Sequence, residues 1–200
     1  EISQNTPGEL IFTDPEQENL LGLLDQLEVT IEPNNDPNPG ESSGEIAASS
    51  VFPPLALIHV RHVLVSFHDA PEGIALIQGL WGSVDGLYEN TDALQEAFTA
   101  GDEELFRRKN EEIINQIAGN ANKELYLDWN QDGVIDDPSD GFGLLQNGRP
   151  GYADQGYIQQ TISHAIFAAQ SADATEGIKI YSAHVVICGE NMTGWSGLLL

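Results

Sequence analysis

Asp128, Asn130, Asp132 and Asp136 stand at alternating positions in the stretch LYLDWNQDGVIDDPSDGFG, residues 125–143, with Gly133 among them and neither Lys nor Arg. Carboxylates crowded this way repel one another unless water or a cation lies between them. The segment is therefore a solvated acidic loop or the seat of a cation. The residue types suit a hard one: Ca²⁺ takes roughly 6–8 oxygen ligands at about 2.3–2.6 Å. Asp128, Asn130 and Asp132 can each offer a side-chain oxygen as the chain coils, Gly133 permits the turn, Val134 offers its carbonyl and Asp136 ligates directly or through water. Ile135 is expected to point inward and tie the loop to the helices.

The pattern Asp128-x-Asn130-x-Asp132-Gly133-x-x-Asp136 resembles an EF-hand loop, or the related dockerin-type calcium loop, over residues 128–140. The resemblance implies calcium as cofactor and a structural ion, and loss of the bidentate twelfth-position ligand predicts weak binding suited to a calcium-rich medium. Two residues depart from it. Ser139 stands where the EF-hand carries a bidentate Glu, and Trp129 is bulky for the second position. Asp137 or Asp140 is left to supply the missing carboxylate. There is a single copy of the loop, which argues against a paired calcium sensor.

Imidazole and thiolate form the second set of candidate ligands. His59 and His62 lie one turn apart on an expected helix, Tyr157, Thr161 and His164 share a face of another, and Tyr181, His184 and Cys188 share a face of a third. Were those faces to converge, His62, His164, His184 and Cys188 would line one interior and suit zinc, copper or iron, or a haem. The commoner role of such residues is a buried hydrogen bond for each His and apolar packing for the Cys. The chain has no C-x-x-C-H, Glu-x-x-His or H-E-x-x-H, and lacks the G-x-H-x-x-E signature of imelysin-like iron-uptake bundles. There is no G-x-S-x-G elbow and no phosphate-binding glycine loop with Lys, and no catalytic residue is assigned.

The elements expected to position these residues are helices. Pro53-Pro54 opens one that runs to about Phe67. A second runs from about Pro71 to Phe98, with Ile74, Ile77, Leu80, Trp81, Val84, Leu87 and Tyr88 near helical spacing and a restart expected at Asn90–Thr91. Gly79, Gly82 and Gly86 within it signal close helix approach or a kink. A third spans about 102–125, with Asp102, Glu103 and Glu104 in its first turn. NGRPG at 147–151 reads as a turn, followed by helices over about 154–170 and 174–192, the last capped by Asp173 with Glu176 as partner. The expected fold is all-α, an antiparallel bundle of four to five helices, with the acidic loop between the third and fourth and a partly irregular N-terminal segment.

Residues 1–50 hold 11 Asp or Glu and no Lys or Arg. Within them a short helix is expected in PEQENLLGLLDQLEVTI, and the Pro-, Asn-, Gly- and Ser-rich run 32–45 is expected to separate this appendage from a body at 51–200. Over all 200 residues, 32 acidic against 7 basic side chains give a formal charge of −25. Such a surface repels nucleic acid and anionic lipid and attracts cations or basic partners. One cysteine excludes an internal disulfide. No uncharged apolar run reaches the roughly 18 residues of a transmembrane helix. Glu1 in place of Met leads to the expectation that a leading segment has been removed. The expected function is a secreted, periplasmic or cell-surface calcium-binding domain with a structural or interaction role and a protein or surface partner. The alternative is a transition-metal- or haem-binding bundle for redox, sensing or uptake.

Overall fold

A computed structural model describes residues 14–38, 41–42, 44–145 and 155–200; the turn expected at 147–151 and Asp154 lie outside the described residues. The chain divides into two compact units, Glu1–Val51 and Phe52–Leu200.

The first unit carries a one-turn helix, α1 (Leu20–Leu23), and two strands, β1 (Gln26–Ile31) and β2 (Glu45–Val51). The Asn19 side chain accepts a hydrogen bond from Leu21 N and so starts α1. The strands pair antiparallel from Gln26 opposite Val51 to Ile31 opposite Glu45, with a register irregularity between Val29 and Thr30. The protein is mostly helical but not all-α. Leu27, Val29 and Ile31 alternate with a strand's period of two, and the run expected to separate appendage from body instead connects the strands of a hairpin.

The second unit is helical: α2 (Pro54–Leu64), a single 3-10 turn at Pro71–Gly73, α3 (Leu76–Ala100), α4 (Glu103–Ala118), α5 (Tyr157–Gln170) and α6 (Glu176–Leu199). Several boundaries differ from expectation for local reasons. The first helix stops at Leu64, and Phe67 N pairs with Ile74 O at 3.0 Å across the following turn. No restart breaks α3 at Thr91, whose hydroxyl donates back to Leu87 O at 2.7 Å instead of capping a new helix. Gly101, in the left-handed conformation at φ +71°, ends α3, and Asp102 then caps α4 by accepting from Leu105 N at 3.0 Å. Gly119 ends α4 at Ala118, well before Leu125.

Asp173 does not cap α6. Thr175 does, accepting from Ile178 N at 3.3 Å. The Asp173 carboxylate accepts from Leu55 N at 2.7 Å and Ala56 N at 3.1 Å, placing an anion at the N-terminus of α2.

Helix α5 is the centre of this unit, packed against α6, α2 and α3, and α3 also packs along α4. Gly79 leaves room for the Tyr157 ring, which a Cβ there would overlap. On the α3–α4 side, the Gln116 amide fits over Gly86 and donates to Ser83 O at 2.9 Å. The core gathers Leu76, Leu80, Ile113, Ile117, Tyr157 and Ile158 with Phe142 and Leu144. Those last two arrive on a stretch stitched to both helices: Leu144 N donates to Ile117 O at 3.1 Å, and Ile158 N donates to Leu144 O at 3.1 Å. Among the described residues, no helix is long and apolar enough to cross a membrane.

Candidate metal centre

His59 and His62 sit three residues apart in the last two turns of α2, so their side chains leave the helix on one face. His164 sits on the buried face of α5, which packs against α2. The three imidazoles meet there. His59 Nδ1 lies 3.1 Å from His164 Nδ1, and His62 Nδ1 lies 3.3 Å from the same atom. One ligand atom from each of the three falls within 4.8 Å of the others. Phe67 packs edge-on to His164 at 5.1 Å between centroids, and Phe167 lies 5.3 Å from the His59 ring. Two apolar rings thus help wall the group.

Hydrogen bonding alone serves this arrangement poorly. One Nδ1 carries either one proton or one in-plane lone pair, so His164 Nδ1 cannot make two well-directed bonds to two neighbouring Nδ1 atoms. A cation between them could take one lone pair from each ring. With metal–nitrogen bonds of about 2.0–2.1 Å in tetrahedral geometry, ligand nitrogens lie about 3.3 Å apart, close to both observed contacts.

The surroundings favour the neutral form of all three rings. Burial lowers the pKa of His59. Burial first, then the neighbouring His59 and His68, lower that of His62, against an opposing pull from Asp69. His164 is pushed down to about 4 by burial and by His62 and His59, again against Asp69. Neutral imidazole is the form that binds metal. Asp69, whose Oδ1 lies 3.2 Å from His68 Nε2, is the carboxylate whose field reaches the group.

His62 and His164 were expected from sequence; His184 and Cys188 fall elsewhere. Both are exposed on α6, His184 beside the Tyr181 ring at 6.2 Å between centroids. The third imidazole is His59, signalled by its H-x-x-H spacing to His62. These three residues could hold a metal ion, and they form the one group of three or more His, Cys, Asp or Glu side chains gathered this closely among the described residues.

The acidic loop is organised differently. Asp128 Oδ2 accepts from Gly133 N at 2.9 Å, Asn130 Oδ1 from Asp132 N at 2.9 Å and Asp132 Oδ1 from Val134 N at 2.8 Å. Gly133 has φ +94°, the conformation for which its residue type was expected. Asp137 Oδ1 accepts from Ser139, and burial together with the nearby Asp137 carboxylate pushes the Tyr126 phenol up to about 12. Asp140 accepts from Tyr157 Oη at 2.6 Å, at the start of α5.

Ile135 does not anchor the loop; it is exposed, as is Val134. The anchors are polar and come from α4. Glu111, fully buried, accepts from Asn130 N at 3.0 Å and Asp136 N at 2.8 Å. Asn115, also fully buried, exchanges bonds with the Leu127 backbone at 3.1 Å and donates to Asp136 O at 3.0 Å. Sequence reasoning missed both because polar residues inside a helix read as its solvated face. Trp129 finds its place by donating its indole N–H to Leu125 O at 2.8 Å.

Comparison with protein-family models, with curated proteins and with solved structures returns no match.

Proposed function

We propose that the Phe52–Leu200 unit is a metal-binding helical bundle in which His59, His62 and His164 hold one divalent transition ion, zinc first among the candidates. The observation that carries this is the meeting of three imidazoles, with Nδ1 contacts of 3.1 and 3.3 Å. An all-nitrogen donor set suits zinc, copper, iron or nickel and disfavours calcium, which prefers oxygen. It also disfavours haem: a porphyrin takes four positions in one plane around its iron, and three imidazoles converging on one point leave no such plane. The test is zinc titration of protein stripped with chelator. One ion per chain is expected. His59→Gln or His164→Gln should weaken binding by at least the roughly 10–100-fold that even residues behind a metal ligand are worth, while His184→Gln and Cys188→Ser should leave it unchanged. Equal loss in the His184 variant, or no uptake by the wild type, would sink the assignment.

A second reading concerns the acidic loop, on one observation. Asp136 Oδ2 and Asp137 Oδ2 are carboxylate oxygens cut off from solvent with no hydrogen-bond partner, and a bound ion is one companion that such atoms take. The EF-hand or dockerin-type reading of Asp128, Asn130, Asp132, Val134, Asp136, Asp137 and Asp140 then gives a structural calcium site and a chain at work in a calcium-rich, extracytoplasmic medium. Calcium should raise the melting temperature, by the equivalent of about 2.7 kcal/mol at about 100-fold excess over Kd. Asp128→Ala should abolish the response and His164→Gln should preserve it. Coincident melting curves with millimolar calcium and with chelator would remove the site.

A further inference from the structure

Beside the three histidines lies a cleft of about 470 Å³, lined by residues of α2, α5 and α6, His59 and His164 among them. Its size falls within the roughly 300–1,000 Å³ of small-molecule sites. Val60, Val63, Ala168, Ile178 and Val185 set its apolar character, and neither Lys nor Arg lines it. A charged ligand head entering it has one electrostatic complement, an ion held by His59, His62 and His164. Three protein ligands leave a tetrahedral ion one open position, the arrangement of zinc sites that bind an external molecule.

We propose that the metal centre takes, at that open position, the carboxylate of a small monocarboxylic acid whose apolar chain fills the cleft. The inference rests on the metal-centre reading above. Its head-group choice follows from charge. A divalent ion held by three uncharged nitrogen ligands keeps its double charge. A carboxylate head is drawn to that charge and offers it an oxygen ligand, whereas an ammonium head is repelled. The body follows from the wall. A chain that leaves water for the Val, Ile and Ala surface gains with every methylene it buries, whereas acetate gains almost nothing there.

The test uses the full chain loaded with Co²⁺, whose visible ligand-field bands report the ion's own coordination. Octanoate should change the bands saturably, with half-saturation at least about tenfold below that of acetate, since six more methylenes reach the wall. Gly177→Phe supplies a block: Gly177 lines the cleft, and a Cβ there meets one atom within 4 Å, Thr175 Oγ1 at an ordinary 3.8 Å. That variant should keep one Co²⁺ per chain and lose the advantage of octanoate over acetate. Unchanged bands with octanoate, equal half-saturation for acetate, tighter binding of octylamine, or a Gly177→Phe protein that responds like the wild type would each overturn the proposal. Uptake of Co²⁺ without any of the expected responses removes this inference alone. Failure to take up Co²⁺ removes the metal centre and this inference with it.

Discussion

His164 is the residue on which the site's chemistry turns, because both close nitrogen contacts end on its Nδ1. Burial, together with His62 and His59, holds its pKa near 4, against 6.5 in an unfolded chain. Between those values the unfolded chain binds the proton and the folded one does not. The metal-free protein is therefore stabilised above about pH 6.5 and loses that contribution as pH falls toward 4. His59 and His62, also lowered, act in the same sense. Denaturant midpoints of the metal-free protein should fall between pH 7 and 5 more steeply in the wild type than in His164→Gln; equal slopes would assign the titration to another group. Two of these imidazoles, His62 and His164, were named from sequence as candidate ligands. The third carried its signal in the spacing of His59 to His62, and its membership depended on how α2 is rotated about its axis against α5, which spacing within one helix does not determine.

At the scale of elements, α6 explains why His184 and Cys188 were misplaced. Its apolar residues lie all round the helix, so periodicity does not identify the buried face. The residues it buries are Ser182, Gly189 and Ser196, small side chains seven apart, with Gly189 admitting Ile162 of α5. Close approach along this small seam, rather than bulk, sets the face, and the chemistry-bearing face turns outward. Most helices were otherwise readable from their apolar period. Their ends were less so, because ends depend on partners distant in sequence, as at the start of α2. That helix has no side-chain cap of its own; Asp173 provides one from the turn between α5 and α6. Asp173→Ala should cost about 0.5–2 kcal/mol in chemical denaturation, the range for losing a helix N-terminal cap. Because α2 carries His59 and His62, zinc affinity should fall as well, though by less than in His164→Gln. An unchanged denaturation midpoint would show that water replaces the carboxylate at Leu55 and Ala56 without loss.

For the molecule as a whole, the division after Val51 separates a small two-stranded unit from the unit that holds every candidate ligand. A chain beginning at Phe52 should keep its helical circular dichroism, a cooperative melt and one zinc site; aggregation or lost helicity would show that the first unit is needed to cover the second. The hairpin was half-legible: alternation showed in one strand, while a composition typical of linkers hid the connection to the other. The bonds from Glu111 and Asn115 to the acidic loop have a bearing on time as well as shape. They hold the amides of Leu127, Asn130 and Asp136 on helix α4 by bonds that involve no cation, so those amides should exchange slowly with deuterated solvent whether or not calcium is present. An ion entering the loop would settle into a frame already set, and its arrival would slow exchange at residues 132–134 while sending no mechanical message to the helices.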